Sequence, residues 1–438
     1  MKKLLLIQST PYDSFRNPIK KKKLYFVGLG LPLLAALTPE DWDVEIILET
    51  IEDIPFDTDA DLIAIGSMGH AIIRSIDIAK EFKKRGKTVI LGGYMASLMP
   101  EEAKGYCDSV VIGDAEEVWE KVICDFERGL LKKSYKEELN DLSTPLPRFD
   151  LIVNKNIGDF LPVQAGRGCP NSCSFCSVYC LYKNRYLKRD ILEVIRDITQ
   201  VKELGFDKFL LLDDNIISER EYLIELCREI KKLNMQWASQ CSIKIGEDRE
   251  LLKIVSDSGC IALSFGLESI SAESLKYLNK SWAHPSDYSV MINNVQEAGI
   301  DVSTEMVVGA DGDTIQSIRE TAGFIEENKI VVPRFYILTP IPGTKYFEIL
   351  KNENRIYNTD IYSYNGSEAV HIPKNMTPQE LTEAYWELYD KVFSMKSIFN
   401  RTVFRKDFLK RMDRYIFYLL VNLYYRYQIK RRITPNII

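Results

Sequence analysis

The 438-residue chain has no uninterrupted apolar stretch approaching the roughly 20 residues of a membrane span. Its first ten residues, MKKLLLIQST, hold two lysines and only a four-residue apolar run before Gln8. That run is too short for the h-region of a signal peptide and reads as a first strand. The nine cysteines, scattered apart from one central group, do not make a disulfide framework; they suit a reducing cytoplasm, the expected location. Acidic residues outnumber basic ones in the body of the chain. The net charge is −6, yet residues 401–438 hold ten Lys or Arg against two Asp, a local +8 that leaves −14 on the rest. So acidic a body argues against nucleic acid as a partner. With 46% hydrophobic and 27% charged residues, the chain reads as globular, with room for two or three domains.

The stretch QAGRGCPNSCSFCSVYCLYKNRY, residues 164–186, organises the remainder. It sets Cys169, Cys173 and Cys176 in a C-x3-C-x2-C triplet behind Gly166-Arg167-Gly168. Three thiolates at this spacing can each bind one iron of a cubane cluster, leaving the fourth iron without a protein ligand. An open metal position is where chemistry occurs, as it separates catalytic from structural zinc sites. Cys180 follows, so a closed zinc site or a closed four-cysteine cluster is the competing reading. All four cysteines lie within twelve residues, however, whereas zinc sites usually pair two knuckles across a longer loop. Cys180 is therefore expected outside the cluster.

The triplet resembles the signature of the radical SAM enzymes, as does its Arg-Gly-Cys-Pro lead-in, Arg167 to Pro170. The resemblance implies a [4Fe–4S] cluster whose open iron binds the amino and carboxylate groups of S-adenosylmethionine (SAM). One-electron cleavage then gives a 5′-deoxyadenosyl radical that abstracts a substrate hydrogen. An electron donor such as flavodoxin or ferredoxin is the implied partner. Phe175 occupies the family's aromatic position near the adenine.

Residues 1–135 alternate short apolar runs with helical patterns. Leu4–Ile7, Val44–Leu48, Leu62–Ile65, Val89–Leu91 and Val110–Ile112 read as buried parallel strands. Helices are expected at Gly30–Thr38, Ala71–Arg85 and Ala115–Arg128. This is a doubly wound, Rossmann-like α/β domain over residues 1–140, with ligands beyond the carboxyl ends of its strands. Glycines stand at those ends: Gly66-Ser67-Met68-Gly69, Gly92-Gly93 and Gly113-Asp114. They permit close backbone approach to a bulky ligand, although strand-to-helix turns also use glycine for geometry alone.

Joined to the triplet, this arrangement resembles the cobalamin-binding domain of B12-dependent radical SAM proteins. The similar segments are Gly28–Pro39, Ile63–His70, Ile90–Ser97 and Val110–Glu117. The last departs from the family's Gly-x-Gly-Glu at Ala115. The resemblance implies cobalamin contacts at Gly66, Ser67, Met68, His70, Gly92, Gly93 and Gly113. No D-x-H-x-x-G motif is present, so the Gly66–His70 turn, rather than a cobalt-ligating histidine, is expected under the cofactor. A capping or surface role competes for His70, and a fold that has lost its cofactor competes for the domain.

Residues 141–158, with Pro145 and Pro147, read as a linker. Over 159–345 a second alternating region follows, with strands at Pro162–Ala165, Lys208–Leu212, Trp237–Cys241, Ile261–Phe265, Val302–Val307 and Phe335–Leu338. Helices such as Ile191–Leu204, Glu219–Leu233 and Glu250–Ser258 separate them. Six βα units suggest a partial (β/α)6 barrel of the TIM type, its cluster loop at the active-site face. By resemblance, SAM contacts fall on Asp213 and Asp214 after the second strand, Gln240, Glu268 of Gly266-Leu267-Glu268-Ser269, and Glu305. A turn at Val308–Gly312 also fits. Polar strand ends and helix caps are the ordinary alternative for each.

Residues 346–438 read as helical, with Pro378–Met395 and Val403–Tyr427 the main candidates. The second is aromatic-rich and flanked by basic clusters, which suits packing across the barrel mouth or peripheral contact with a membrane interface.

The expected activity is a cobalamin-dependent radical SAM methylation of an unactivated carbon, through the 5′-deoxyadenosyl radical and methylcobalamin. A hydrophobic small-molecule or lipid substrate follows from the tail and from resemblance to hopanoid methylases and the Mg-protoporphyrin ring cyclase. No catalytic acid or base stands out, because the cofactors carry the chemistry. Oxidative cyclisation without methyl transfer is the first alternative; a non-catalytic cobalamin- or metal-binding regulator is the second. A tRNA methylthiotransferase would need three more cluster cysteines in its N-terminal domain, where only Cys107 and Cys124 stand.

Overall fold

The computed structural model describes residues 1–13, 15–67 and 71–435. By internal contact, residues 1–167 with 187–210 make one unit, and 168–186 with 211–437 another. The first contains β1 (Lys2–Gln8), β2 (Leu24–Phe26), β3 (Trp42–Leu48), β4 (Leu62–Ser67), β5 (Thr88–Gly93), β6 (Ser109–Val111), β7 (Ser134–Tyr135) and β8 (Ile157–Gln164). Six of these form a parallel sheet in the order β3-β1-β4-β5-β6-β7. The order reverses between β1 and β4, and such a switch point opens a crevice at the carboxyl ends of the strands. Leu4 to Ile7 are buried without interruption, the pattern of a strand covered on both faces. The helix Ile72–Lys84 buries Ile72, Ile73, Ile78, Ala79 and Phe82 and exposes Lys80, Lys83 and Lys84. That division is the amphipathic pattern expected of a covering helix.

β9 (Gly166–Gly168) pairs with β10 (Tyr186–Lys188), closing the cysteine loop with a short ribbon. Next come β11 (Lys208–Leu212), β12 (Gln236–Cys241), β13 (Cys260–Glu268), β14 (Asp301–Val308) and β15 (Val332–Ile337). They belong to a seven-stranded sheet ordered β15-β14-β13-β12-β11-β8-β2, the partial barrel. β12 to β15 run parallel to one another. Here burial alternates along β14 and β15, with Ser303, Glu305, Val307, Arg334 and Tyr336 part-exposed between buried neighbours.

β2 was not foreseen; it pairs in parallel with β8. Gly158 allows this, because a Cβ there would lie 2.3 Å from the Tyr25 carbonyl oxygen. The segment expected as a linker is anchored: Phe149 and Ile152 are fully buried, and β8 already begins at Ile157.

The edge strand β15 is protected in two ways. Pro333 is tolerated there because an edge leaves N–H groups without a ladder partner. The Tyr389 hydroxyl, on the helix Pro378–Val392, donates to Phe335 O (2.9 Å) and accepts from Phe335 N (2.9 Å). Both exposed groups of one edge residue are thereby satisfied.

The expected long helix Val403–Tyr427 is corrected. Helix Met395–Thr402 ends there, a single turn covers Phe408–Lys410, and a new helix runs Met412–Ile429. Asp407 accepts from Tyr415 Oη (2.6 Å) and Arg405 Nε (3.3 Å), local side-chain bonds that compete with helix continuation. This last helix does not cross the barrel mouth. Arg414 and Tyr418 bond Asp301 at the start of β14, Arg414 reaches Ile261 O near the start of β13, and Asn422 holds Val331 O. It therefore lies at the opening ends of the strands, opposite the cysteine loop.

Candidate active site

The cysteine loop is held by backbone more than by side chains. Gly168 has φ +87°, and a Cβ there would stand 2.2 Å from the Arg185 carbonyl oxygen, so no other residue fits. Its N–H donates to Asp214 Oδ2 (2.6 Å). Further on, Ser174 N donates to Leu278 O (3.0 Å), Tyr346 N donates to Ser174 O (2.9 Å) and Asn279 Nδ2 donates to Ser172 O (2.7 Å). Cys173 is buried; Cys169 and Cys176 are partly so. Burial pushes the Cys173 thiol up to about 12 and the Cys176 thiol up to about 11, and it raises Cys169 as well. Buried thiols with elevated pKa values deprotonate readily only beside a strong positive charge such as a metal centre.

Among the described residues no three His, Cys, Asp or Glu side chains converge where one metal ion could sit. A tetrahedral zinc would draw four sulfurs to about 2.3 Å from a single point. Cys180 is engaged elsewhere, its Sγ 3.1 Å from Gly343 O and 3.6 Å from Cys176 O. A cubane instead spreads its ligands over separate irons, and three thiols on one fastened loop fit that group.

At the ends of the neighbouring strands, Asp213 and Asp214 follow β11. Asp213 is buried, accepts from Tyr186 Oη (2.6 Å) and Asn215 N (2.8 Å), and is pushed up to about 7 by burial against those bonds. Gln240, near the end of β12, leaves its side chain exposed. Glu268 ends β13 through a register shift between Gly266 and Glu268, the mark of a β-bulge. It takes φ +60°, which costs a non-glycine residue of order 1 kcal/mol and is tolerated chiefly at functional sites.

Its carboxylate is buried against the Lys280 ammonium, which also donates to Gly266 O (2.5 Å) and lies 5.1 Å from the Trp282 ring. Glu305 faces its register partner Arg334 across β14 and β15, and burial raises its pKa against the Arg334 charge. Phe175 is part-buried on the cluster of Leu278, Ala310, Leu338, Tyr346 and Leu350, so one face of its ring has a packing role. The Gly309–Asp313 turn is tied by Asp313, which accepts from Gly309 N (2.9 Å) and Ala310 N (3.1 Å).

Lys280, Tyr186, Asp313 and Arg334 had no sequence signal: each acquires its place only through a turn or a strand pairing. The clamp on Arg167 was equally hidden. Its guanidinium bonds Asp114 Oδ1 (2.7 Å), Glu116 Oε1 (2.6 Å) and Gln164 Oε1 (2.9 Å). Burial works to raise the Glu116 pKa, but the Arg167 charge and hydrogen bond outweigh it and hold the carboxyl below its usual range.

In the first unit, Gly66, Gly92 and Gly93 end the adjacent strands β4 and β5, and Gly113 follows β6. Gly93 and Gly113 take φ +92° and +84°, and a Cβ on Gly113 would meet nothing within 4 Å. Gly113 N donates to Ser97 Oγ (2.8 Å), which donates to Gly93 O (2.8 Å). Glycine-ended strands beside a switch point fit a large planar ligand approached by backbone. Met68 and His70 lie outside the described residues, as does the side chain of Ser67.

Comparison with known proteins agrees with this arrangement. The Radical SAM superfamily model matches residues 163–325, and the B12 binding domain model matches residues 23–123. The chain is 31% identical over 384 residues to bacteriochlorophyllide d C-12(1)-methyltransferase of Chlorobaculum tepidum, covering 85% of this chain and 84% of that one. It is 30% identical to the C-8(2)-methyltransferase of the same organism, covering 88% and 89%. The fold is similar to that of TsrM, a radical S-adenosylmethionine methyltransferase of Kitasatospora setae solved with cobalamin and a [4Fe–4S] cluster. The TM-score is 0.63 at 15% identity, over 82% of this chain and 76% of that one.

Proposed function

The chain belongs to the radical SAM methyltransferases that carry a B12 binding domain, and on that premise we propose that it methylates an unactivated carbon of a large apolar substrate. When bound, the cluster with SAM supplies one-electron bond cleavage, and cobalamin supplies the methyl group that a substrate carbon radical accepts. Cys169, Cys173 and Cys176 hold the cluster. Gly168 and Asp214 fix the loop that carries them. Glu268, paired with Lys280, takes the ribose or methionine end of SAM, with Asp213 and Gln240 at the neighbouring strand ends, Glu305 on the inner face of β14 and Phe175 beside the adenine. Gly66, Gly92, Gly93 and Gly113 admit cobalamin against backbone, and Ser67, Met68 and His70 are its further contacts in this reading.

Similarity to two enzymes named for bacteriochlorophyllides supports an extended ring system as substrate, matching the apolar substrate read from the sequence. The reductant is a small one-electron carrier such as flavodoxin or ferredoxin. The setting is cytoplasmic, with peripheral membrane contact through the C-terminal helix.

The observation that carries the reading is the joint occurrence, in one chain, of a fastened three-cysteine loop and a glycine-ended switch point. Anaerobic reconstitution with iron, sulfide and cobalamin tests it, followed by assay of both SAM products. Release of 5′-deoxyadenosine and S-adenosylhomocysteine together is expected. Deoxyadenosine alone would favour oxidative cyclisation; neither product from a fully loaded protein would favour the regulator.

A further inference from the structure

A helix apolar around its whole circumference is ordinarily enclosed. Met412–Ile429 carries large apolar side chains on its solvent side as well as on its packed side, yet it is only half enclosed. Tyr415, Tyr418, Asn422, Tyr425 and Ile429 are buried on the side that meets the strand starts. Met412, Ile416, Phe417, Leu420, Tyr424 and Tyr427 are 42–60% exposed. At 3.6 residues per turn these six fall within an arc of about 140°. Asp413, in the first turn, is the only charge among them. Just ahead of the helix, Phe404 and Leu409 are 70% and 85% exposed. Exposed bases bracket the face: Lys406 and Lys410 before it, Lys430 and Arg431 after it.

We propose that this face seats at the headgroup boundary of an anionic lipid bilayer, the helix lying in the membrane plane. Among the described residues no helix is long and apolar enough to cross a membrane, so the fit is to the interface. Charge selects the lipid and the orientation. Residues 401–438 carry +8 while the rest carries −14, so an anionic surface attracts the tail and repels the body. A second copy of the chain is the poorer occupant. An isologous pairing about this helix, antiparallel across a two-fold axis, would bring the basic end of one chain against the basic end of the other. The inference gives the proposed peripheral contact its residues and its lipid, and it is independent of the methyl-transfer chemistry.

Flotation of the full-length protein with phosphatidylcholine vesicles, with and without phosphatidylglycerol, reads it directly. Co-flotation is expected only with phosphatidylglycerol, and should weaken as salt rises. Phe417→Glu with Leu420→Glu should cut the bound fraction about tenfold or more, since both side chains point away from the packed side. Lys430→Glu with Arg431→Glu, which leaves the apolar face intact, should remove the preference for anionic lipid. Unchanged circular dichroism checks the fold of each variant. Truncation near Ser397 is the weaker design, because it also removes the buried Arg401, which bonds Ile330 O, Val392 O and Asn422 Oδ1. Failure of the wild-type chain to float with anionic vesicles overturns the proposal, as does wild-type flotation of the Phe417 and Leu420 variant. So does a concentration-dependent dimer, broken by those two substitutions, in place of lipid binding. None of these results bears on deoxyadenosine release.

Discussion

Strands of the first sheet and of the barrel are buried by different rules. Leu4–Ile7, Leu62–Ile65 and Val89–Leu91 are buried in unbroken runs, because both faces of that sheet are covered. In β14 and β15 every second residue is part-exposed, so the inner face of the barrel is available to a ligand and carries polar groups. A ligand of the first sheet can touch only strand ends, which is why its expected contacts are glycines. A ligand of the barrel can also meet Ser264, Glu305, Arg334 and Tyr336 along the inner face. One region leaves room at its strand ends; the other presents charged and polar groups along a face.

The sharpest test of that contrast is the cysteine loop. Cys176→Ala should lower iron and sulfide content and abolish deoxyadenosine release, while Cys180→Ala should retain full iron, since its sulfur is occupied by Gly343 O. Loss of iron in the Cys180 variant would return the site to a closed four-thiol centre. Next in size is the buried pair at the end of β13. Lys280→Ala leaves the Glu268 carboxylate buried without its cation and should destabilise the fold by about 3–5 kcal/mol in urea unfolding. Lys280→Met combined with Glu268→Gln should recover most of that stability but not SAM binding. Full recovery of SAM binding would reduce the pair to a structural role. In the covered sheet, Ile63→Ala should cost about 3 kcal/mol by opening a cavity at a fully buried position. Deoxyadenosine release per iron should stay unchanged there, whereas Glu305→Gln on the open face should alter turnover more than stability.

How much of this was legible in the sequence follows the same division. Apolar runs revealed five of the six strands of the first sheet, with boundaries within two residues, because continuous burial leaves a continuous signal; the two-residue β7 left none. The barrel strand Lys208–Leu212 agreed at both ends. β2 escaped because three residues with one buried side chain carry no periodic pattern. The three thiols were legible because metal ligation fixes both residue type and spacing. Lys280 was not, because only the turn after the helix Ala272–Tyr277 carries it back onto Glu268. The terminal helix misled in register: its aromatic run continues backwards through Phe404 and Phe408, and only Asp407, turned onto Tyr415, breaks it.

The smallest expected effect concerns a charge cluster of the first unit, the Arg167 clamp. Arg167 lies two residues before Cys169, and its guanidinium spans Asp114 and Glu116 on the loop after β6. Glu116→Gln keeps the size of the side chain but removes the charge, which should cost about 1.5 kcal/mol at neutral pH. The pH dependence has a defined sign. A carboxyl held below its usual range contributes stability that is complete above its unfolded pKa, about 4.3, and is lost as pH falls through the lower folded value. The gap between wild type and Glu116→Gln in urea midpoint should therefore be widest near pH 7 and close on acidification below about pH 4. A gap that stays constant down to pH 3 would mean that the hydrogen bond, and not the charge, holds the clamp. That outcome would leave the Glu116 charge with no part in holding Arg167, and the ion pair to Asp114 would carry the clamp.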